Sequence, residues 1–216
     1  MAQGAEVAEA EGSAANMAGR DPHGGDPRPG MVLDYWIDEV GPEGWYGEDA
    51  ARDAEIRARF EAMWEHAMEG ALSLWLTYPT GTLAYIVLTD QFSRNMWRGT
   101  GRAFASDRAA LAAAKAALSR DWDLRIAEPA RQFFYLPLMH AESLPDQQRS
   151  VRLIQMRLPE TGASNLLHAK AHREVIRRFG RFPHRNEALG RGTTLAEGAF
   201  LEGGGYGGVV REMEGA

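Results

Sequence analysis

The 216-residue chain contains no cysteine. That absence excludes a disulfide framework, thiolate metal sites, iron–sulfur clusters and a cysteine nucleophile. Long apolar runs are also missing. Leu83–Leu88, as long as any, is far short of the roughly 20 residues of a membrane-spanning helix. No basic stretch followed by an apolar one opens the chain, so no secretory leader is read there and a cytoplasmic location is expected. Positive charge is in deficit: 24 Lys and Arg against 30 Asp and Glu give a net −6. Such a balance argues against a nucleic-acid partner held through phosphate neutralisation. What is present is enough apolar material for a core, 44% hydrophobic with six tryptophans.

Residues 1–30 have no aromatic side chain but carry six glycines and three prolines. They cannot bury enough apolar surface to offset the entropy of ordering, and read as a flexible tail. Residues 203–216 hold six more glycines and read as a second tail. A single all-helical domain is expected between them, over 31–202.

Within it the periodicity is helical throughout. Segments 32–40, 49–76, 82–97 and 104–118 place apolar residues three and four apart. The third begins apolar on all sides, the pattern of a buried central helix. Further helices are expected after Pro129, from a Ser143 cap to about Leu158, over 165–179 up to Gly180, and from a Thr194/Glu197 capping box to Gly203. Helices without sheet predict antiparallel helix pairs in an array or bundle.

Three polar constellations stand out. The first is Asp90-Gln91-Phe92-Ser93-Arg94-Asn95. On a helix, Asp90 and Arg94 can meet, as can Gln91 and Asn95, and the apolar segment before them implies burial. Arg94 offers a fork for a carboxylate or phosphate; the same residues could equally lock helix packing. The second is His140 with Glu142, just after Pro137, which must kink or break its helix against the carbonyl of Phe133. His140 is an acid/base candidate tuned by Glu142 or Asp146, and a histidine paired with Asp90 or Glu142 could move a proton; otherwise it is a structural histidine. The third is the basic stretch 168–191, seven basic residues against two acidic. It includes His172, Arg173, Arg178, His184, Arg185 and Asn186, and a helix starting at His184 would present an anion-binding N-terminus. His168 and His172 have two-ligand spacing but no evident third ligand, so no metal and no cofactor are assigned.

These segments are the ones by which the chain resembles a bacterial domain of unknown function family, number 924. The resemblance rests on Leu33-Asp34-Tyr35-Trp36, Asp53-Ala54-Glu55-Ile56 with Arg59-Phe60, Leu88–Asn95, Ala103–Asp107, Tyr135–Glu142, Asp146-Gln147, and the run from His172-Arg173 through Arg178-Phe179-Gly180-Arg181-Phe182-Pro183-His184-Arg185-Asn186 with Leu189-Gly190-Arg191. It implies a tetratricopeptide-like all-α fold and supplies no reaction. The family usually has proline where Ser93 stands. Two functions are consistent with these residues. One is a pocket for a small anionic molecule, with catalytic His140, Asp90 and His184 and binding groups Gln91, Arg94, Asn95, Glu142, His172, Arg173, Arg178, Arg185 and Asn186. The other is a helical scaffold that clamps an acidic peptide partner.

Overall fold

A computed structural model describes residues 27–215, and among them there is no β-strand. The expected tail at 1–30 falls outside the described residues up to position 26. From Pro29 the chain is already helical. Helix α1 (Pro29–Leu33) continues into a wide turn over Asp34–Val40 and then α2 (Gly41–Gly44). It buries Val32, Tyr35 and Trp36.

Helix α3 (Ala50–Met68) starts on Asp49, whose Oδ1 accepts from the amides of Ala51 and Arg52 at 2.9 and 3.1 Å. The predicted helix ran on to Leu76. It stops because Gly70 takes φ +84°, a left-handed conformation natural to glycine, and a separate tight turn covers Ser73–Thr77.

The central buried helix is present. α4 (Pro79–Ile86) passes into π geometry over Val87–Phe92 and ends as α5 (Ser93–Met96). Residues 81–93 are all buried. Phe92 packs edge-on against Trp36 at 5.3 Å and against Phe60 of α3 at 4.7 Å. Phe133 completes the aromatic centre against Trp45 at 4.8 Å. Such pairs each add about 0.5–1.5 kcal/mol beyond area burial.

Alanine-rich α6 (Asp107–Leu118) lies close against α4, its Ala110, Ala114 and Ala117 fully buried. Pro137 produces the expected break. A tight turn over Ala130–Phe134 ends before the short α7 (Leu136–Met139), which carries Pro137 in its first turn. α8 (Leu144–Arg157) and α9 (Ala163–Phe179) form a helix pair across a short connection. Ser143 occupies the expected N-cap position of α8, but its side chain makes no capping bond. Gly180, at φ +70°, terminates α9 as expected.

Thr194 and Glu197 form both halves of a capping box at α10 (Leu195–Glu202). Thr194→Ala should cost about 1 kcal/mol, read as a lower midpoint in urea at unchanged slope. The expected C-terminal tail is the clearest correction. α11 (Gly205–Glu214) is a helix that packs on α9 and buries Val209 beside Val175, Ile176 and Phe182. Its glycines mark the turn at 203–205, where Gly204 and Gly205 take positive φ. One apolar stripe (Tyr206, Val209, Val210, Met213) is enough to dock it.

Candidate functional site

The π turn at Val87–Phe92 sets the polar residues that follow it. Asp90 is fully buried, and its carboxylate receives Arg94 at 3.2 Å. The expected Gln91–Asn95 ladder does not form. Each amide meets a carboxylate instead: Gln91 donates back to Asp90, while Asn95 donates to Asp53 of α3 at 2.7 Å. Asn95 therefore stands apart from the site.

His140, at the end of α7, brings Nδ1 to 2.9 Å from both oxygens of Asp90. Its partner is thus Asp90, one of the two carboxylates expected to pair with a histidine, and not Glu142 or Asp146. Burial pushes the Asp90 carboxyl up, but Arg94 and His140 outweigh it and hold the group down at about 2. An ionised Asp90 can only accept, so Nδ1 of His140 carries the hydrogen. His140 itself is pushed down by burial and by Arg94, against the pull of Asp90. Its Nε2 therefore offers a lone pair, with no hydrogen-bond partner among the described residues.

Glu142 has a different task. It receives Arg191 at 2.7 and 3.0 Å and the amide of Phe182 at 2.8 Å, pinning the 181–191 segment over α7. Asn186 is buried inside that segment. Its Oδ1 accepts from Arg191 at 3.1 Å, so its role is structural. The predicted helix start at His184 is only a tight turn, Pro183–Arg185, too short to act as an anion-binding helix end.

Arg185 is 6% exposed and lies between the rings of Phe104 and Phe182, at 4.6 and 4.5 Å. Its Nη1 reaches Asp107 at 3.2 Å, while its buried Nε has no partner. Burial and Arg94 lower its pKa to about 10, so it stays charged at neutral pH. Asp107 also meets Arg94, Nη2 to Oδ1 at 2.9 Å. That contact is too bent for a hydrogen bond and leaves both atoms unsatisfied.

These groups border a cleft of about 360 Å³ lined by His140, Glu142, Arg185, Asp107, Arg108 and Ser143, with Phe104 and Leu111 as apolar wall. Arg108 is exposed and has no carboxylate partner among the described residues. Arg94, Arg108, Arg185 and Arg191 against Asp90, Asp107 and Glu142 leave one positive charge at the site.

His172 packs behind the cleft, its ring 6.2 Å from that of His140 and 4.5 Å from Tyr206. Its Nδ1 donates to the carbonyl of His168 at 2.9 Å. Burial, then His140, lower its pKa to about 3. His184 is exposed beside Phe182, 5.6 Å between rings, with its pKa lowered by the surrounding protein and by Arg185.

Two further predicted binding residues lie elsewhere. Arg178 pairs with Glu174 and Glu212 on the surface, and Arg173 borders a separate groove with Lys170 and Met213. The basic stretch is one helix followed by one turn, and a helix distributes consecutive residues around its axis. Asp107, Arg108 and Arg191 were not singled out by sequence. The only signal was that Asp107 and Arg191 fall within or beside the segments shared with the family. Among the described residues no group of three metal-ligating side chains occurs, and no helix is long and apolar enough to cross a membrane. His168 instead meets the hydroxyl of Tyr206 at 2.6 Å.

No curated protein matches the chain. A solved structure of a protein of unknown function from Agrobacterium tumefaciens is similar at 40% identity and a TM-score of 0.75. The match covers 81% of this chain and 96% of that one. The sequence profile of a family described as bacterial protein of unknown function matches residues 32–205. With that span matched and that relative at 40% identity, the chain belongs to the bacterial family of unknown function DUF924.

Proposed function

We propose that the cleft binds a small molecule bearing a carboxylate or phosphate group, and that His140 exchanges a proton with it through Nε2. The observation that carries this reading is His140, fixed by a buried, ionised Asp90, in the same cleft as Arg185 and Arg108. A carboxylate holding Nδ1–H orients the imidazole and stabilises the imidazolium that forms when Nε2 takes a proton. The lowered pKa of His140 keeps Nε2 unprotonated at neutral pH, as a general base requires. Arg108 and the one excess positive charge would receive the anionic group.

The volume of the cleft fits a metabolite-sized ligand better than an extended peptide. Arg185 is already committed to Asp107, so Arg108 is the more adaptable contact.

A screen of small carboxylates and phosphate esters by thermal shift, followed by calorimetry, tests the reading. Arg108 is exposed, so Arg108→Ala should fold normally and weaken a hit about tenfold, the value of one charge-assisted hydrogen bond. His140→Gln should retain binding and lose any turnover. If no small anion binds while an acidic peptide does, the scaffold reading replaces this one. If a hit binds equally well to Arg108→Ala and His140→Gln, the site lies elsewhere.

A further inference from the structure

On the opposite face of α6 from the cleft is a second concavity of about 300 Å³, open at one side. Asp107, Arg108 and Leu111 of this helix face the cleft, whereas Ala109, Ala113 and Ala116 face the second pocket. At 100° per residue these two sets fall roughly half a turn apart. The space exists because alanine recurs where larger side chains would fill it. Tyr85 and Trp122 form the facing wall. Tyr85 is 7% exposed, and its hydroxyl has no hydrogen-bond partner among the described residues. Burial alone raises its pKa. The side chain is buried but the hydroxyl oxygen itself is not sealed off, so it is open to a hydrogen bond from a molecule that enters the pocket.

We infer that this pocket binds a small aromatic molecule carrying one hydrogen-bonding atom, its ring against the alanines and Trp122 and its polar atom on the Tyr85 hydroxyl. Apolar cavities of about half this volume take up benzene in other proteins. A one-ring or two-ring compound therefore fits, and the lining offers no charge to hold an ionic group. Thr82, the other hydroxyl of the lining, is committed: it donates to the carbonyl of Tyr78 at 2.9 Å. Tyr85 is left as the group that selects among aromatics. The inference is independent of the anion-binding cleft, because the two sites share no lining residue.

The test uses phenol, indole and toluene, titrated into the full-length protein and followed by heteronuclear NMR. Ala116 is exposed, so Ala116→Phe can fill the mouth of the pocket without entering the core; its circular dichroism should match the wild type. Saturable binding of phenol and indole is expected, lost in Ala116→Phe. Tyr85→Phe should weaken phenol about tenfold and leave toluene within about twofold. Absence of saturable binding by all three probes at millimolar concentration overturns the inference. So does binding that survives Ala116→Phe. Equal loss of phenol and toluene affinity in Tyr85→Phe overturns the role of the hydroxyl.

Discussion

Asp90→Ala should lower stability by about 3–5 kcal/mol, the cost of removing one partner from a buried ion pair. For a chain of this length that is a fall of roughly 10 °C or more in Tm. The reason is geometric. Asp90 is fully buried; its carboxylate is the acceptor for His140 and Gln91 and the ion-pair partner of Arg94. Without it, the guanidinium of Arg94 loses its buried countercharge and keeps its bond to the backbone carbonyl of residue 90 and its bent contact to Asp107, while Nδ1–H of His140 has no acceptor. Replacing both charges, Asp90→Leu with Arg94→Leu, should cost less than the single change, because no unpaired charge is then left inside. Chemical denaturation of the single and double variants decides it. A double variant less stable than Asp90→Ala would mean that packing around Arg94, not its charge, dominates. His140 provides the link to function. Losing the carboxylate should lower its pKa further, measurable by NMR titration, whereas a purely structural pair elsewhere would leave that titration unchanged.

The second large effect is on pH dependence. His140 and His172 both have folded pKa values below their ordinary value, and His172 falls to about 3. The unfolded chain therefore takes up these protons first. Their contribution is neutral above about pH 6.5, and stability falls as pH drops from there toward 3. Each histidine adds a slope approaching about 1.4 kcal/mol per pH unit inside its window. Asp90 acts lower down. Its pKa of about 2 stabilises the fold above its ordinary value near 4, and that contribution is lost as pH falls through 2. Acid unfolding should thus begin well above the carboxylate range. Urea midpoints measured from pH 7.5 to 4.5 should fall steadily, and His172→Phe should remove part of the slope. A stability that stays flat between pH 7 and 5 would show that these histidines are hydrated enough to protonate in the folded protein.

The helices were legible because their signals are local. The apolar run at 83–88 continuing into polar residues, the Thr194/Glu197 box and Gly180 each act within one turn, and each is found where it was read. The misjudged end, 203–216, shows how composition misleads. Glycine content argued for a tail, yet the spacing of Tyr206, Val209, Val210 and Met213 was enough for docking. Short-range polar pairing was legible for Asp90–Arg94 and failed for Gln91–Asn95. Gln91 and Asn95 each meet a carboxylate instead, Asp90 and Asp53, and the second of these comes from another helix.

The sequence by itself determined an all-helical chain, the buried central helix, the break at Pro137 and the residue types available for chemistry. Periodicity, proline geometry and capping are properties of neighbouring residues. The tertiary structure decided which of those residues meet. Fifty positions separate Asp90 from His140, and 78 separate Asp107 from Arg185. No local pattern encodes such pairings. They exist because α7, α6 and the 181–191 segment pack around one end of the central helix, where buried charges must find partners or be expelled.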